Sequence, residues 1–170
     1  MFHLSRLPGH RRSSGGPRHK DDAPGVRLLV ITADFEYYTR LSQAATAAGW
    51  SIRAASTVEE AIPHVQSGAF PLIVYDGDAN GDWRGAFDRI RSVSSSVCLV
   101  LASLVTDPYL WEEVIQRGGF DVIPRLAARE ELINKLRFAW FWNETLRPAS
   151  NRRTGGVCER ARYSNDDASH

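Results

Sequence analysis

Asp76 closes the apolar run Pro71-Leu72-Ile73-Val74-Tyr75. A carboxylate at the carboxyl tip of a buried strand is where an open α/β sheet places its chemistry, so Asp76 heads the candidates. It has few rivals. His3, His10, His19, His64 and His170 show no metal-ligand spacing, and neither Cys98 nor Cys158 joins a histidine in a zinc pattern. Gly-Gly pairs occur at 15–16, 118–119 and 155–156, and none lies between a first strand and its helix, as a nucleotide loop requires. There is no Gly-x-Ser-x-Gly nucleophile elbow. The chain is therefore not expected to be an enzyme, and no cofactor or metal is expected.

The elements that must position Asp76 alternate short β-rich runs with amphipathic segments. Leu28-Leu29-Val30-Ile31 is a continuous apolar run, as expected of a parallel strand covered on both faces. Asp34 then stands at a helix N-cap, Leu41, Ala44, Ala45 and Ala48 share one face, and Gly49 ends the turn. A strand over 52–55 follows. Ser56 and Glu59 have capping-box spacing ahead of a helix to about Gln66, which Pro63 should strain or shorten. Strand three runs from Leu72 to Tyr75. Beyond a Gly- and Asp-rich loop, Phe87, Ile90, Arg91 and Val93 predict a third helix, and 97–101 a fourth strand. Asp107-Pro108 is an N-cap with proline at the first helical position, opening a helix that ends at Gly118-Gly119. A short strand over 121–124 and a last helix over 127–146 complete the pattern. Five such units leave no room for antiparallel hairpins. They imply an open parallel sheet of order 2-1-3-4-5, with a crevice outside the carboxyl ends of strands one and three.

With 170 residues, 43% apolar and 24% charged, the chain fits one domain with polar ends. Residues 1–25 set Arg6, Arg11, Arg12, Arg18 and Lys20 among Gly, Ser and Pro, and residues 148–170 hold almost no aliphatic side chains. Neither stretch can bury enough apolar area to offset chain entropy, so a disordered basic arm and a disordered polar tail flank an ordered domain over 26–147. A gene start set too early would leave the same N-terminal signature. A basic arm that touches nucleic acid or acidic lipid is the alternative for residues 1–25, but a formal charge of +1 argues against wholesale nucleic-acid binding. No apolar stretch reaches the roughly 20 residues that span a bilayer, and no secretory signal opens the chain. Two dissimilar cysteines make no disulfide framework. A soluble, cytoplasmic protein is expected.

With these elements in order, residues 26 to about 146 resemble the receiver domains of bacterial two-component response regulators. The resemblance rests on Leu-Ile-Val-Tyr-Asp ending at Asp76, on Arg117-Gly118-Gly119-Phe120-Asp121 before the last strand, and on Ile123-Pro124-Arg125 closing it. It implies a flavodoxin-like (βα)5 three-layer sandwich in which the strand-three aspartate accepts a phosphoryl group from a histidine kinase. Asp76 stands at that position.

Phosphoryl transfer to such an aspartate needs Mg2+ and its octahedral oxygen ligands. The family supplies two acidic residues after strand one, the phosphoacceptor, and the backbone carbonyl two residues beyond it. Here the acidic pair is replaced by Thr32-Ala33. Asp34 comes one residue late, among neighbours that suit an N-cap better than a ligand. Asp78 occupies the position whose carbonyl would bind the metal. Its carboxylate either compensates for the lost pair or joins Ala79, Asn80, Gly81 and Asp82 in a polar loop that satisfies backbone groups. The family's Ser or Thr at the end of strand four is Ala102, and Ser103 is turned to the other face. The lysine and proline after strand five are Arg125-Leu126, which keeps the charge but brings a planar fork. Without a metal, Arg125 either pairs directly with Asp76, lowering a carboxylate pKa by roughly 1–3 units, or faces solvent while Asp76 caps the loop.

On the last helix Leu132, Ile133, Leu136, Ala139, Trp140 and Asn143 cluster on one side, while Phe138, Phe141 and Trp142 fall opposite, beside Glu131 and Lys135. Large aromatics on a solvated face suggest a partner surface, which Trp111 would extend, unless the C-terminal tail covers it. Receiver domains make contacts through their fourth helix, fifth strand and fifth helix, so a protein partner or homodimer through those elements is expected, with a histidine kinase as a further candidate. The leading expectation is a stand-alone, degenerate receiver-like signalling module that acts through protein contacts, with weak or no phosphorylation at Asp76. The alternatives are a working Mg2+-dependent phosphoacceptor and a flavodoxin-like small-ligand binder or enzyme.

Overall fold

The computed structural model describes residues 25–146. The expected disorder of both ends and the position of Cys158 lie outside them. Along the chain run β1 (Arg27–Ile31), α1 (Phe35–Ala47), β2 (Ser51–Ala55), α2 (Val58–Gln66) and β3 (Leu72–Asp76). They are followed by α3 (Gly77–Asn80), α4 (Trp83–Val93), β4 (Cys98–Ser103), α5 (Pro108–Gln116), β5 (Asp121–Pro124) and α6 (Arg129–Leu146). All strand pairs are parallel and the order is β2-β1-β3-β4-β5.

Strand residues alternate between two apolar layers because successive side chains leave a strand on opposite faces. Leu29, Ile31, Ile73, Leu99 and Leu101 pack with Ala61, Val65, Phe87, Ile90 and Val114 from α2, α4 and α5. Leu28, Val30, Leu72, Val74 and Val100 pack with Tyr37, Leu41, Leu132 and Leu136 from α1 and α6. The central strand β3 is buried along its whole length, which explains its unbroken apolar run. Among the described residues, no helix is long and apolar enough to cross a membrane.

Local chemistry differs from the sequence reading in four places. The capping box of α2 lies one residue later than expected: Thr57 Oγ1 accepts from Glu60 N–H at 3.2 Å, and Glu60 Oε2 accepts from Ser56 N–H at 2.7 Å. Pro63 does not shorten that helix, which continues to Gln66. The polar loop after β3 begins with a helical turn, α3, capped by Asp76 itself. The last helix starts at Arg129 and not at Ala127.

The turn into β5 depends on close backbone approach. Gly118 has φ 79°, and a Cβ on Gly119 would lie 2.4 Å from Val114 Cγ1 and 2.8 Å from Phe87 Cε2. Both neighbours are buried, so they cannot move aside freely. Gly119→Ala should therefore cost about 1–3 kcal/mol in urea unfolding. An unchanged midpoint would show that the α5–β5 turn has room to spare.

Candidate functional site

Strand parity assembles the site. Thr32 continues the face of Leu28 and Val30, Asp76 that of Leu72 and Val74, Ala102 that of Cys98 and Val100, and Arg125 that of Ile123. These four therefore meet at the carboxyl edge of the sheet, on the side covered by α1 and α6. Asp76 is fully buried there, beside Ala102, its Cα partner on β4.

Each Asp76 oxygen carries two hydrogen bonds. Oδ1 accepts from Arg125 Nε at 2.9 Å and from Ala79 N–H at 3.3 Å. Oδ2 accepts from Arg125 Nη2 at 3.0 Å and from Thr32 Oγ1 at 2.7 Å. The guanidinium thus grips the carboxylate side-on through two donors, a geometry that lysine cannot reproduce. A carboxylate offers about four acceptor directions, and all of them are occupied. Both roles left open for Asp76 hold together: it pairs with Arg125 and caps the following turn.

Arg125 is held from three further directions, all from α1. Asp34 Oδ2 accepts from the same Nη2, while Asp34 Oδ1 caps the helix by accepting from Glu36 and Tyr37 N–H. The Arg125 guanidinium lies 4.9 Å from the Tyr37 ring centroid, within cation–π range. Arg40 donates to Arg125 O at 3.3 Å and to Ala127 O at 3.0 Å, fastening the backbone that carries the guanidinium. Asp34, Tyr37 and Arg40 are spaced by three, one face of one helix. The hydrogen bond from Arg125, followed by that from Tyr37 N–H, holds the Asp34 carboxyl below its usual value. Bonding to Asp76 is the largest cause that raises Arg125 above the ordinary guanidinium range. Burial, then the negative charge of Asp76, pushes the Tyr37 phenol well up.

The remaining sequence candidates are placed as follows. Asp78 turns away from Asp76, its Oδ2 accepting from Leu104 N–H at 2.7 Å. Asn80 bridges two loops, accepting from Ala33 N–H at 2.9 Å and donating to Ser56 O at 2.7 Å. Ala33 thus enters the site only through its backbone. Ser103 Oγ accepts from Val105 N–H, outside the pocket. These donors do not fit a hexacoordinate Mg2+: Asp76 is saturated, Asp34 faces a guanidinium, and Thr32 and Ala33 bring no charge. Among the described residues, no three His, Cys, Asp or Glu converge as a metal-holding group.

Sequence reasoning missed Tyr37 and Arg40, while Asn80, read as a loop residue that satisfies backbone groups, does so across two loops. The spacing of Asp34, Tyr37 and Arg40 was visible, but it points at Arg125 only once the α1–β5 contact is known. Phe138, Phe141 and Trp142 are 46–60% exposed, far from this pocket, and Phe138 contacts both Trp142 and Phe120, a neighbour the helix pattern could not supply. Trp111 is exposed and donates to Asp121 Oδ1 at 3.2 Å. Asn143, counted with the core stripe, is half-buried, and its Nδ2 is buried with no hydrogen-bond partner among the described residues.

The pocket makes a quantitative prediction. Arg125→Met would leave a buried, uncompensated carboxylate and should cost about 3–5 kcal/mol in urea unfolding. Adding Asp76→Asn should recover most of that loss. If the single variant loses less than about 1 kcal/mol, as exposed ion pairs do, Arg125 does not hold Asp76 in solution.

No known family profile matches the chain, and no curated protein sequence does. Solved structures do. A CheY-like response regulator receiver domain protein from Methanospirillum hungatei superposes with a TM-score of 0.63 at 13% identity, over 71% of this chain and 98% of that one. A two-component response regulator from Clostridium difficile gives 0.58 at 23% identity, over 67% and 94%. A response regulator from Thermotoga maritima gives 0.63 at 15% identity, over 69% and 98%. Likeness at these identities establishes architecture, and the chain has the fold of the response regulator receiver domains.

Proposed function

We propose that this chain is a receiver-like signalling module in which Arg125 occupies the acceptor face of Asp76, so that it acts through protein contacts with little or no phosphorylation. The observation that carries this reading is the saturation of Asp76. To attack a phosphorus, one Asp76 oxygen must present a free lone pair, and Mg2+ must neutralise the phosphoryl charge. Arg125 stands on the Asp76 oxygens where the nucleophile and the metal contact are needed. Rescue by Asp34 would require it to leave both Arg125 and its helix cap, and rescue by Asp78 would break its bond to Leu104 N–H.

The small-ligand alternative finds less support. The switch-point crevice between β1 and β3 is filled by Arg125, Thr32 and Asn80. Among the described residues, a cleft of about 350 Å3 borders this crevice across Asn80, lined also by Glu59, Tyr75 and Asp82, and another of similar size is lined by Trp111, Asp121 and Lys135. Contact function is supported by Phe138, Phe141 and Trp142, since large aromatics gathered on a helix face are typical of interface cores.

Two experiments test this reading. Incubated with acetyl phosphate and Mg2+, the protein should form no acyl phosphate. A stable adduct that disappears in Asp76→Asn would overturn the proposal in favour of a working phosphoacceptor. Changing Phe138, Phe141 and Trp142 together to Ser should alter the sedimentation profile or abolish partner capture, while stability changes by no more than about 1 kcal/mol. A large stability loss with unchanged assembly would instead assign these rings to the fold.

A further inference from the structure

Across Asn80 from the Asp76 pocket, α2 and α4 part to leave a cleft of about 350 Å3, within the size range of small-molecule sites. Thr57 and Glu59, at the start of α2, supply one wall, and Asp82, Gly85, Ala86 and Arg89 supply the other. These last four positions are spaced by three, one and three, so they lie along one face of α4. The two between the charged residues have the smallest side chains, which leaves the wall hollow. Glycine is disfavoured inside a helix relative to alanine, but a Cβ on Gly85 would run into Asp82 Oδ2. Gly85 thus leaves the Asp82 carboxylate its place at the end of the cleft.

The charged groups of this cleft are unengaged. Among the described residues, the side chains of Glu59 and Arg89 make no hydrogen bond or ion pair. The neighbouring arginines of α4 are both held: Arg84 pairs with Glu113, and Arg91 donates to Val97 O at 2.9 Å. Asp82 Oδ1 accepts from Gly85 N–H at 3.0 Å, and Oδ2 has no donor among the described residues. Tyr75, which also lines the cleft, is only 2% exposed, and its hydroxyl donates to Asn80 O at a long 3.4 Å. Burial, then the charges of Asp82, Asp76 and Glu59, pushes that phenol up to about 12. It is therefore neutral at physiological pH, and its oxygen can still accept a hydrogen bond.

This pattern selects an occupant. Glu59, Asp82 and the Tyr75 oxygen are acceptors suited to a cation, while Arg89 is suited to a carboxylate. From Asp82 to Arg89 the helix rises about 10 Å, so the cationic and anionic ends of a matching ligand must be joined by a chain. Two carboxylates against one guanidinium leave the cleft at −1, which a ligand of net charge +1 offsets. A free basic amino acid meets all of these demands, with an α-carboxylate, a distal cation and an aliphatic stem for Val58 and Ala86 to flank. A diamine would leave Arg89 unpaired, and an acidic ligand would meet two carboxylates.

We infer that the α2–α4 cleft binds free arginine or lysine, with the α-carboxylate on Arg89 and the side-chain cation between Glu59, Asp82 and Tyr75. The chain would then take a small-molecule input at a site separate from Asp76. This goes beyond the signalling reading and holds whether or not Asp76 accepts phosphate.

The test titrates the full chain with L-arginine and follows the methyl NMR signals of Val58 and Ala86. They should shift saturably with a Kd of roughly 0.1–1 mM, modest for a ligand of this size. Agmatine, the same cation without the carboxylate, should bind about tenfold more weakly or worse, and L-lysine against cadaverine should show the same preference. Arg89→Gln should abolish that preference by weakening the amino acids alone, and Glu59→Gln should weaken amino acids and amines alike. Both side chains are exposed, so neither variant threatens the fold. The absence of a saturable shift by about 10 mM would overturn the inference. So would equal binding of L-arginine and agmatine, because the cleft would then suit a basic side chain of a protein partner. Shifts that persist unchanged in Arg89→Gln, or that L-glutamate reproduces, would overturn it as non-specific.

Discussion

The contact on which the pocket depends is the side-on ion pair of Arg125 and Asp76. A carboxylate with no solvent exposure carries a desolvation penalty of several kcal/mol, which is recovered only when every acceptor direction is matched. Here a planar fork, a hydroxyl and a backbone N–H supply the match. The demand then propagates outward. Arg125 carries its own cost of leaving water, and α1 offsets it with a carboxylate, an aromatic face and a clamp on two carbonyls. The first half of α1 therefore serves the β5–α6 loop as much as its own packing.

The four positions that depart from the receiver pattern form one interlocking set. An acidic pair after β1 would repel Asp76 unless a divalent cation lay between them. With Thr32 and Ala33 in its place, the carboxylates left are Asp76 and Asp34, and Arg125 bonds both. Thr32 converts from a neighbour of charge into a donor to it. Ala102, paired with Asp76 on β4, brings no hydroxyl to the carboxylate. A planar five-donor fork needs more room than a single ammonium does.

Much of this was legible in the sequence because strand parity is rigid. Once the runs at Leu28, Leu72, Cys98 and Val122 are read as parallel strands, Thr32, Asp76, Ala102 and Arg125 must share one face and one edge. The observed order 2-1-3-4-5 agrees with short crossovers of fixed handedness. What stayed hidden depends on the distance between helices and loops. Asp34 reads as an N-cap because that interaction is local, yet its second oxygen serves a residue 91 positions away. Tyr37 carries no signal in the sequence and Asn80 reads as turn, since nothing in their neighbours reveals a long-range partner. The one-residue shift of the α2 capping box has a similar origin: Ser56 and Thr57 both suit a cap, and the strand end at Ala55 decides between them.

The pocket and the aromatic face of α6 are mechanically continuous. Arg125 fixes the end of β5, and Arg40 then holds the carbonyls of Arg125 and Ala127 against α1. Only Ala128 separates this anchored stretch from Arg129, the first residue of α6. Leu132, Leu136 and Ala139 seat the same helix on the sheet, and Cys98 Sγ lies 3.7 Å from Ala139 O near its middle. Phe138, Phe141 and Trp142 ride on the exposed side of that one rigid element. Any movement of the Arg125 backbone away from Asp76 would strain the Arg40 clamp and, through it, the start of α6. Coupling of this kind needs two discrete packings of α6, and the saturation of Asp76 means that the packing described is the one with Arg125 engaged. The same bonds that hold Asp76 therefore also help set the position of the exposed aromatic face.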